Sequence, residues 1–195
     1  MRRIFILTVI VAALLATAAL SQGKAAAKPE NLVVNGGFEQ GVDPGGFLGY
    51  SSTGNKLPGW TVAKGSVDVI GTYFKCSHGR CLDLNGSVNG TIRQTIATEA
   101  GKKYRVSFAL SANPQCGDPK KVLRVSTGKE STQSKQFVVT GKPTIPWVRR
   151  TWDFTADADK TPLTFASIGK DSACGPMLDD IAVVGIAESE SVPAK

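Results

Sequence analysis

The chain has 195 residues, an apolar fraction of 42% and a formal net charge of +7, which suits one domain with a buried core and excludes a disordered or fibrous chain. A single histidine excludes a histidine-rich metal centre, and no two of the four cysteines have the CxxC spacing of a zinc or redox site. The basic residues are scattered; pairs such as Lys120-Lys121 and Arg149-Arg150 read as solvated strand faces, and no aromatic-basic module argues for nucleic acid.

In chain order, Arg2 and Arg3 precede an apolar run from Ile4 to Leu20, then Ser21, Gln22, Gly23 and the small residues Ala25 to Ala27. That is the layout of a secretory signal peptide over residues 1–27. The run is short for a membrane span, so no span is expected in the mature chain. Losing Arg2, Arg3 and Lys24 takes the net charge from +7 to +4. In an exported chain, Cys76, Cys81, Cys116 and Cys174 argue for two disulfides, with three possible connectivities.

Residues 28–187 read as one domain. Leu32 to Val34 is expected as an opening strand that runs into Asn35-Gly-Gly, and Gln40 to Leu57 as a loop holding Phe47 and Tyr50. Pro58-Gly59 turns the chain into strands at Trp60–Ala63 and Ser66–Ile70, followed by Cys81–Leu84 and Thr91–Ala97. In Lys103 to Leu110, positions 104, 106, 108 and 110 are all apolar or aromatic, the alternation of a strand with one buried face. Strands at Val122–Val125, Lys135–Thr140, Trp147–Phe154, Leu163–Ile168 and Ile181–Val184 complete the series, and no stretch after the leader has a helical period. The fold expected is all-β, a jelly-roll β-sandwich closed by its first and last strands. Residues 188–195 read as a polar tail.

Strand geometry places Asp179 on the face of Ile181 and Val183, and Asp180 on the other. A carboxylate among core residues needs donors or a cation, and Glu39, at the other terminal strand, is the first counterpart to consider. Cys76 and Cys81 are close neighbours around Ser-His-Gly-Arg. The expected pairing is therefore Cys76–Cys81 and Cys116–Cys174.

Six motifs stand in order: Asn35-Gly-Gly-Phe-Glu39, Leu57-Pro-Gly-Trp60, Val67-Asp-Val-Ile70, Leu82-Asp-Leu-Asn-Gly86, Ile92-Arg-Gln-Thr-Ile96 and Tyr104-Arg-Val-Ser-Phe108. Together they resemble the bacterial exported choice-of-anchor C domains. Cys116 and Cys174-Gly-Pro-Met-Leu-Asp-Asp-Ile181 resemble the related plant cell-wall proteins of the domain-of-unknown-function 642 family. The resemblance implies a galactose-binding-like sandwich, similar to carbohydrate-binding modules and associated with walls or surfaces. It also implies a structural Ca²⁺ where the terminal strands meet, held by Glu39, Asp179 and backbone carbonyls. Bacterial members usually end in a sorting signal or another anchor and this sequence does not, so free secretion or periplasmic residence is expected.

A sugar ring stacks on an exposed flat aromatic. Trp60 and Trp152 sit in alternating strands and are expected in the core, which leaves Tyr50, Tyr73, Phe74 and Trp147, in or beside loops, as platforms. Asn113, Gln115 and Arg105 are candidates for hydrogen bonds to hydroxyls. No acid-base set is expected: Asp179 and Asp180 face opposite ways, and His78 is the only imidazole, in a surface loop. The function expected is a non-catalytic, exported carbohydrate-binding module acting on polysaccharide or glycan at a cell wall, envelope or extracellular matrix. A wall-structural or protein-interaction domain with cell-wall protein partners ranks second, and a polysaccharide hydrolase third.

Overall fold

The computed structural model describes residues 30–187 except 55, 117, 129–132, 142–145 and 171–172. The expected signal peptide and tail lie outside the described residues. Eleven strands run β1 (Phe47–Ser51), β2 (Thr61–Lys64), β3 (Ser66–Ile70), β4 (Cys81–Asp83), β5 (Thr91–Ala97), β6 (Lys103–Ala112), β7 (Lys120–Thr127), β8 (Gln133–Thr140), β9 (Val148–Thr155), β10 (Lys160–Ser167) and β11 (Pro176–Gly185). They form a six-stranded sheet, β1-β3-β4-β11-β6-β9, and a five-stranded sheet, β2-β5-β10-β7-β8. Every pairing is antiparallel. The expected all-β sandwich is the observed fold.

The alternation in β6 does what its sequence dictates. Tyr104, Val106, Phe108 and Leu110 are buried between the sheets, while Lys103 and Arg105 are exposed. Rings link the core from end to end: Phe38 lies 6.2 Å from Trp60, Trp60 6.0 Å from Phe165, Phe165 5.4 Å from Phe108, and Phe108 5.1 Å from Phe137. Burying Phe108 and Phe165 completely contributes roughly 2–3 kcal/mol each. Trp60 is core, as expected, and Trp152 packs against it half-buried.

Two expectations about the first elements need correction. Leu32 to Val34 is not a strand. Leu32 N–H donates to the Val183 carbonyl and Val183 N–H to Asn31 Oδ1, but positive φ at Asn35 and Phe38 ends any ladder at once. The termini still meet, because Ile181 N–H donates to the Gly36 carbonyl at 2.9 Å. A Cβ at Gly36 would collide with the Ile181 carbonyl, so glycine is required there. Gln94 completes the junction, accepting from Val34 N–H at 2.8 Å and donating to the carbonyls of Val34 and Gly59. The second correction concerns Gln40–Leu57, which holds β1 as well as loop.

Both disulfides are as expected: Cys76–Cys81, closing 5 residues, and Cys116–Cys174, closing 58.

Candidate functional site

The outer face of the six-stranded sheet, turned away from its partner, carries a second apolar cluster. Phe47 pairs with Ile70 and Ile70 with Cys81, so these side chains stand in one row across β1, β3 and β4. Asp179 pairs with Ala109 and Ala109 with Arg149, in β11, β6 and β9. Ile70, Cys76, Cys81 and Met177 are buried there under Phe74 and Trp147. The cover is the segment from 71 to 80, folded down onto the sheet. Its clip is the Cys76–Cys81 bridge, and Trp147 Nε1 donates to the Lys75 carbonyl at 3.1 Å.

Above this cluster two rings face solvent: Phe47 is 55% and Tyr73 50% exposed. They lie 5.7 Å apart, and Tyr73 meets Phe74 edge-on at 4.8 Å. Tyr73 hydroxyl donates to Gln115 Oε1 at 2.8 Å, and Gln115 N–H donates to Asn113 Oδ1 at 3.0 Å. Segments far apart in sequence thus converge on one fixed aromatic surface with an amide at its rim. Of the expected platform residues, Tyr73, Phe74 and Trp147 are together here. Phe47 is not among the expected platforms, although its place two residues before Gly49, with Leu48 and Tyr50 at alternate positions, is a strand signal.

Three expected residues stand elsewhere. Tyr50 points from β1 into the core and is 6% exposed, so its ring has no free face. Asn113 is buried, donating to Asp83 Oδ2 at 2.7 Å, and is part of a structural network rather than a sugar contact. Arg105 is exposed but holds Asp153 through two bonds of 2.7 Å, at the far end of β6. That pairing holds the Asp153 carboxyl below its usual range.

The acidic pair also departs from expectation. Asp180 has φ of 51°, and the register shifts between Asp179 and Ala182, a bulge that adds one residue to β11. Ile181 and Val183 therefore face the core, while Asp179 lies on the outer face with Met177. The two carboxylates do not diverge: ligand atoms of His78, Asp179 and Asp180 lie within 4.8 Å of one another. His78 Nδ1 is 2.7 Å from Asp180 Oδ2. Asp179 is fully buried, and its two oxygens accept from His78 N–H at 2.8 Å and Asp180 N–H at 2.7 Å. Burial, foremost, pushes its pKa up to about 6. Glu39 Oε1 accepts from Arg80 N–H at 2.8 Å. Between the two acids stands Gly37, where a Cβ would lie 3.8 Å from both Asp179 Oδ1 and Glu39 Cγ.

A wider cleft of about 860 Å³ lies against β2, lined by Ser52, Lys56, Thr61, Arg93 and Thr95 among others. Its one aromatic, Trp60, is buried, so it offers hydroxyls and cations but no stacking face. No helix among the described residues is long and apolar enough to cross a membrane.

Two antiparallel sheets with this connectivity have the fold of carbohydrate-binding modules. One of these, TmCBM61, solved with β-1,4-galactotriose, superposes with a TM-score of 0.51 at 12% identity, covering 80% of this chain and 99% of that one. By sequence, the chain belongs to the family described as protein of unknown function DUF642, which matches residues 31–184. Protein TEEBE of Arabidopsis thaliana is 32% identical over 174 residues, 78% of this chain and 45% of that protein. Halomucin of Haloquadratum walsbyi is 31% identical over 178 residues, 83% of this chain and 2% of that protein. The chain thus spans less than half the length of these curated relatives.

Proposed function

We propose that this domain binds polysaccharide without cleaving it, as an exported module acting at a cell wall, envelope or extracellular polysaccharide. The observation that carries the reading is the pair of half-exposed rings, Phe47 and Tyr73, 5.7 Å apart on the outer sheet face, with Tyr73 held by Gln115. Flat rings of this kind stack on the apolar face of a pyranose, and amides at the rim answer its hydroxyls. The fold shared with a module solved on a galactotriose supports the same reading. Against hydrolysis by the adjacent acids, Asp179 is buried with both oxygens on backbone donors, so Asp179 and Asp180 do not offer a substrate two free carboxylates. A glycan array on residues 28–195 tests the proposal; the expected result is polysaccharide binding with no release of reducing sugar. Binding confined to wall proteins would favour the interaction-domain reading instead.

A structural Ca²⁺ held by Glu39 and Asp179 belongs to the same proposal. It would tie the N-terminal segment to β11 and supply no chemistry to the sugar.

A further inference from the structure

Beside the aromatic surface, on the same face of the six-stranded sheet, stands the carboxylate of Asp68. Phe47 pairs with Ile70, and the next outward pair along β1 and β3 is Gly49 with Asp68, two residues or about 7 Å further on. The pair after that is Ser51 with Ser66. Val67 and Val69 point into the core and Ile70 into the outer cluster, so Ser66, Asp68 and Ile70 share the outer face.

These residues line a cleft of about 350 Å³, bounded by Gly54 and Ser87 from the neighbouring loops. Glycines keep it open around Asp68. A Cβ at Gly86 would lie 3.0 Å from Asp68 Oδ1 and 2.9 Å from Ser66 Oγ, and one at Gly49 would lie 3.2 Å from the same carboxylate oxygen. Ser66 Oγ accepts from Ser87 N–H at 2.8 Å, which leaves its own proton to donate.

The fold gains nothing from this charge. Among the described residues no donor or cation reaches Asp68, and its partner across the β3–β4 ladder is another acid, Asp83. Like charges directly opposite are unfavourable, and burial raises the pKa of Asp68. A neutral amide would cost the strand less. The pair does not make a cation cage either, since both Asp83 oxygens are taken, by Asn85 N–H, Gly175 N–H and Asn113 Nδ2. What remains is an acceptor aimed into a hydroxyl-lined cleft, one step along the strand from an exposed ring.

We propose that Asp68 determines the specificity of this face: its carboxylate accepts from two adjacent hydroxyls of one uncharged sugar unit, while the next unit of the chain stacks on Phe47 and Tyr73. The inference rests on the carbohydrate-binding reading and names the chemistry of its substrate. Hydroxyls donating to an ionised carboxylate form the stronger, charge-assisted class of hydrogen bond, and two carboxylate oxygens match two neighbouring donors.

Depletion isotherms test it on amorphous cellulose, xylan and mannan, whose inner units each keep two adjacent free hydroxyls. Curdlan is the comparison, the glucose of cellulose linked so that no two free hydroxyls of an inner unit are adjacent. The wild-type domain should bind at least one of the first three about tenfold more tightly than curdlan. On that polymer Asp68→Asn should lose about tenfold, and Gly49→Val, which fills the cleft and removes no ring, a similar factor. Asp157→Asn, at an exposed acid between β9 and β10, should lose nothing. The melting temperature of Asp68→Asn should be no lower than that of the wild type, as it would be if the carboxylate were structural. Full binding by both cleft variants, or a loss in Asp68→Asn that accompanies a fall in melting temperature, overturns the role of Asp68 and leaves the aromatic surface in place. Equal affinity for curdlan overturns the hydroxyl assignment. Tighter binding of chitosan, lost in Asp68→Asn, would overturn it in favour of an ammonium partner. Binding of none of the first three polymers overturns the inference, and no hit on the wider glycan array overturns the carbohydrate reading as well.

Discussion

Tyr73 and Gln115, 42 residues apart, are joined by a 2.8 Å hydrogen bond from the phenol to the amide oxygen. The bond fixes the ring plane of a residue that is half in solvent, in a segment otherwise anchored by Phe74 and the Cys76–Cys81 clip. Fixing the ring before a ligand arrives lowers the ordering cost of binding.

Tyr73→Ala and Phe47→Ala should each weaken polysaccharide binding about three- to tenfold, with little change in melting temperature, because both rings are half-exposed. Tyr73→Phe keeps the ring and removes only the bond to Gln115, so its loss should be smaller. Affinity electrophoresis in polysaccharide gels reads all three. Undiminished binding in both alanine variants would place the ligand on another face.

The strands were legible where alternation is uninterrupted. Thr91–Ala97 has the expected bounds, and β6 only extends two residues further. What could not be read was non-local. Asn113 stands beside two prolines and looks like loop, yet its partner Asp83 is 30 residues away, so its burial is invisible in the local pattern. The bulge at Asp180 adds one residue to β11 and breaks any inference from period two carried across it. Ile181 and Val183 keep the core face expected of them, and Asp179, expected beside them, stands on the outer face. The glycines around β1 mask a short alternation, Leu48 and Tyr50 inward and Phe47 outward, so the burial of Tyr50 is hard to read locally.

The two disulfides should differ in worth. In the chain-entropy account the 58-residue loop closed by Cys116–Cys174 contributes about 4 kcal/mol and the 5-residue Cys76–Cys81 loop about half that. Cys116→Ser/Cys174→Ser should therefore lower urea stability more than Cys76→Ser/Cys81→Ser. The second pair should instead cost more binding, since it holds the segment that carries Tyr73. Comparable binding loss in the two variants would deny the clip that role.

Calcium dependence follows from the proposed ion between Glu39 and Asp179. A melt in EGTA should fall below a melt in millimolar Ca²⁺, and Glu39→Gln should abolish the difference. Identical midpoints in the wild type would count against the ion.

Stability should also depend on pH, with a defined sign. Asp83 is buried and accepts from Asn85 and Gly175 N–H and from Asn113 Nδ2, at 2.9, 2.8 and 2.7 Å. Burial outweighs these bonds and raises its pKa to about 6, as it does for Asp179. Both acids thus bind a proton more readily in the folded chain than in the unfolded one, where the value is near 3.9. Their contribution is complete below pH 4 and is lost as pH rises through 6. In calcium-free buffer the melting temperature should therefore be higher at pH 5 than at pH 7.5, against the usual trend for paired carboxylates. For Asp83 alone the difference corresponds to roughly 1 kcal/mol. Asp83→Asn retains an oxygen for the two backbone donors and cannot ionise, so its pH dependence should be about half as steep as the wild type's. A wild-type melting temperature that rises between pH 5 and 7.5 would mean that both carboxylates are ionised in the fold, their hydrogen bonds outweighing burial.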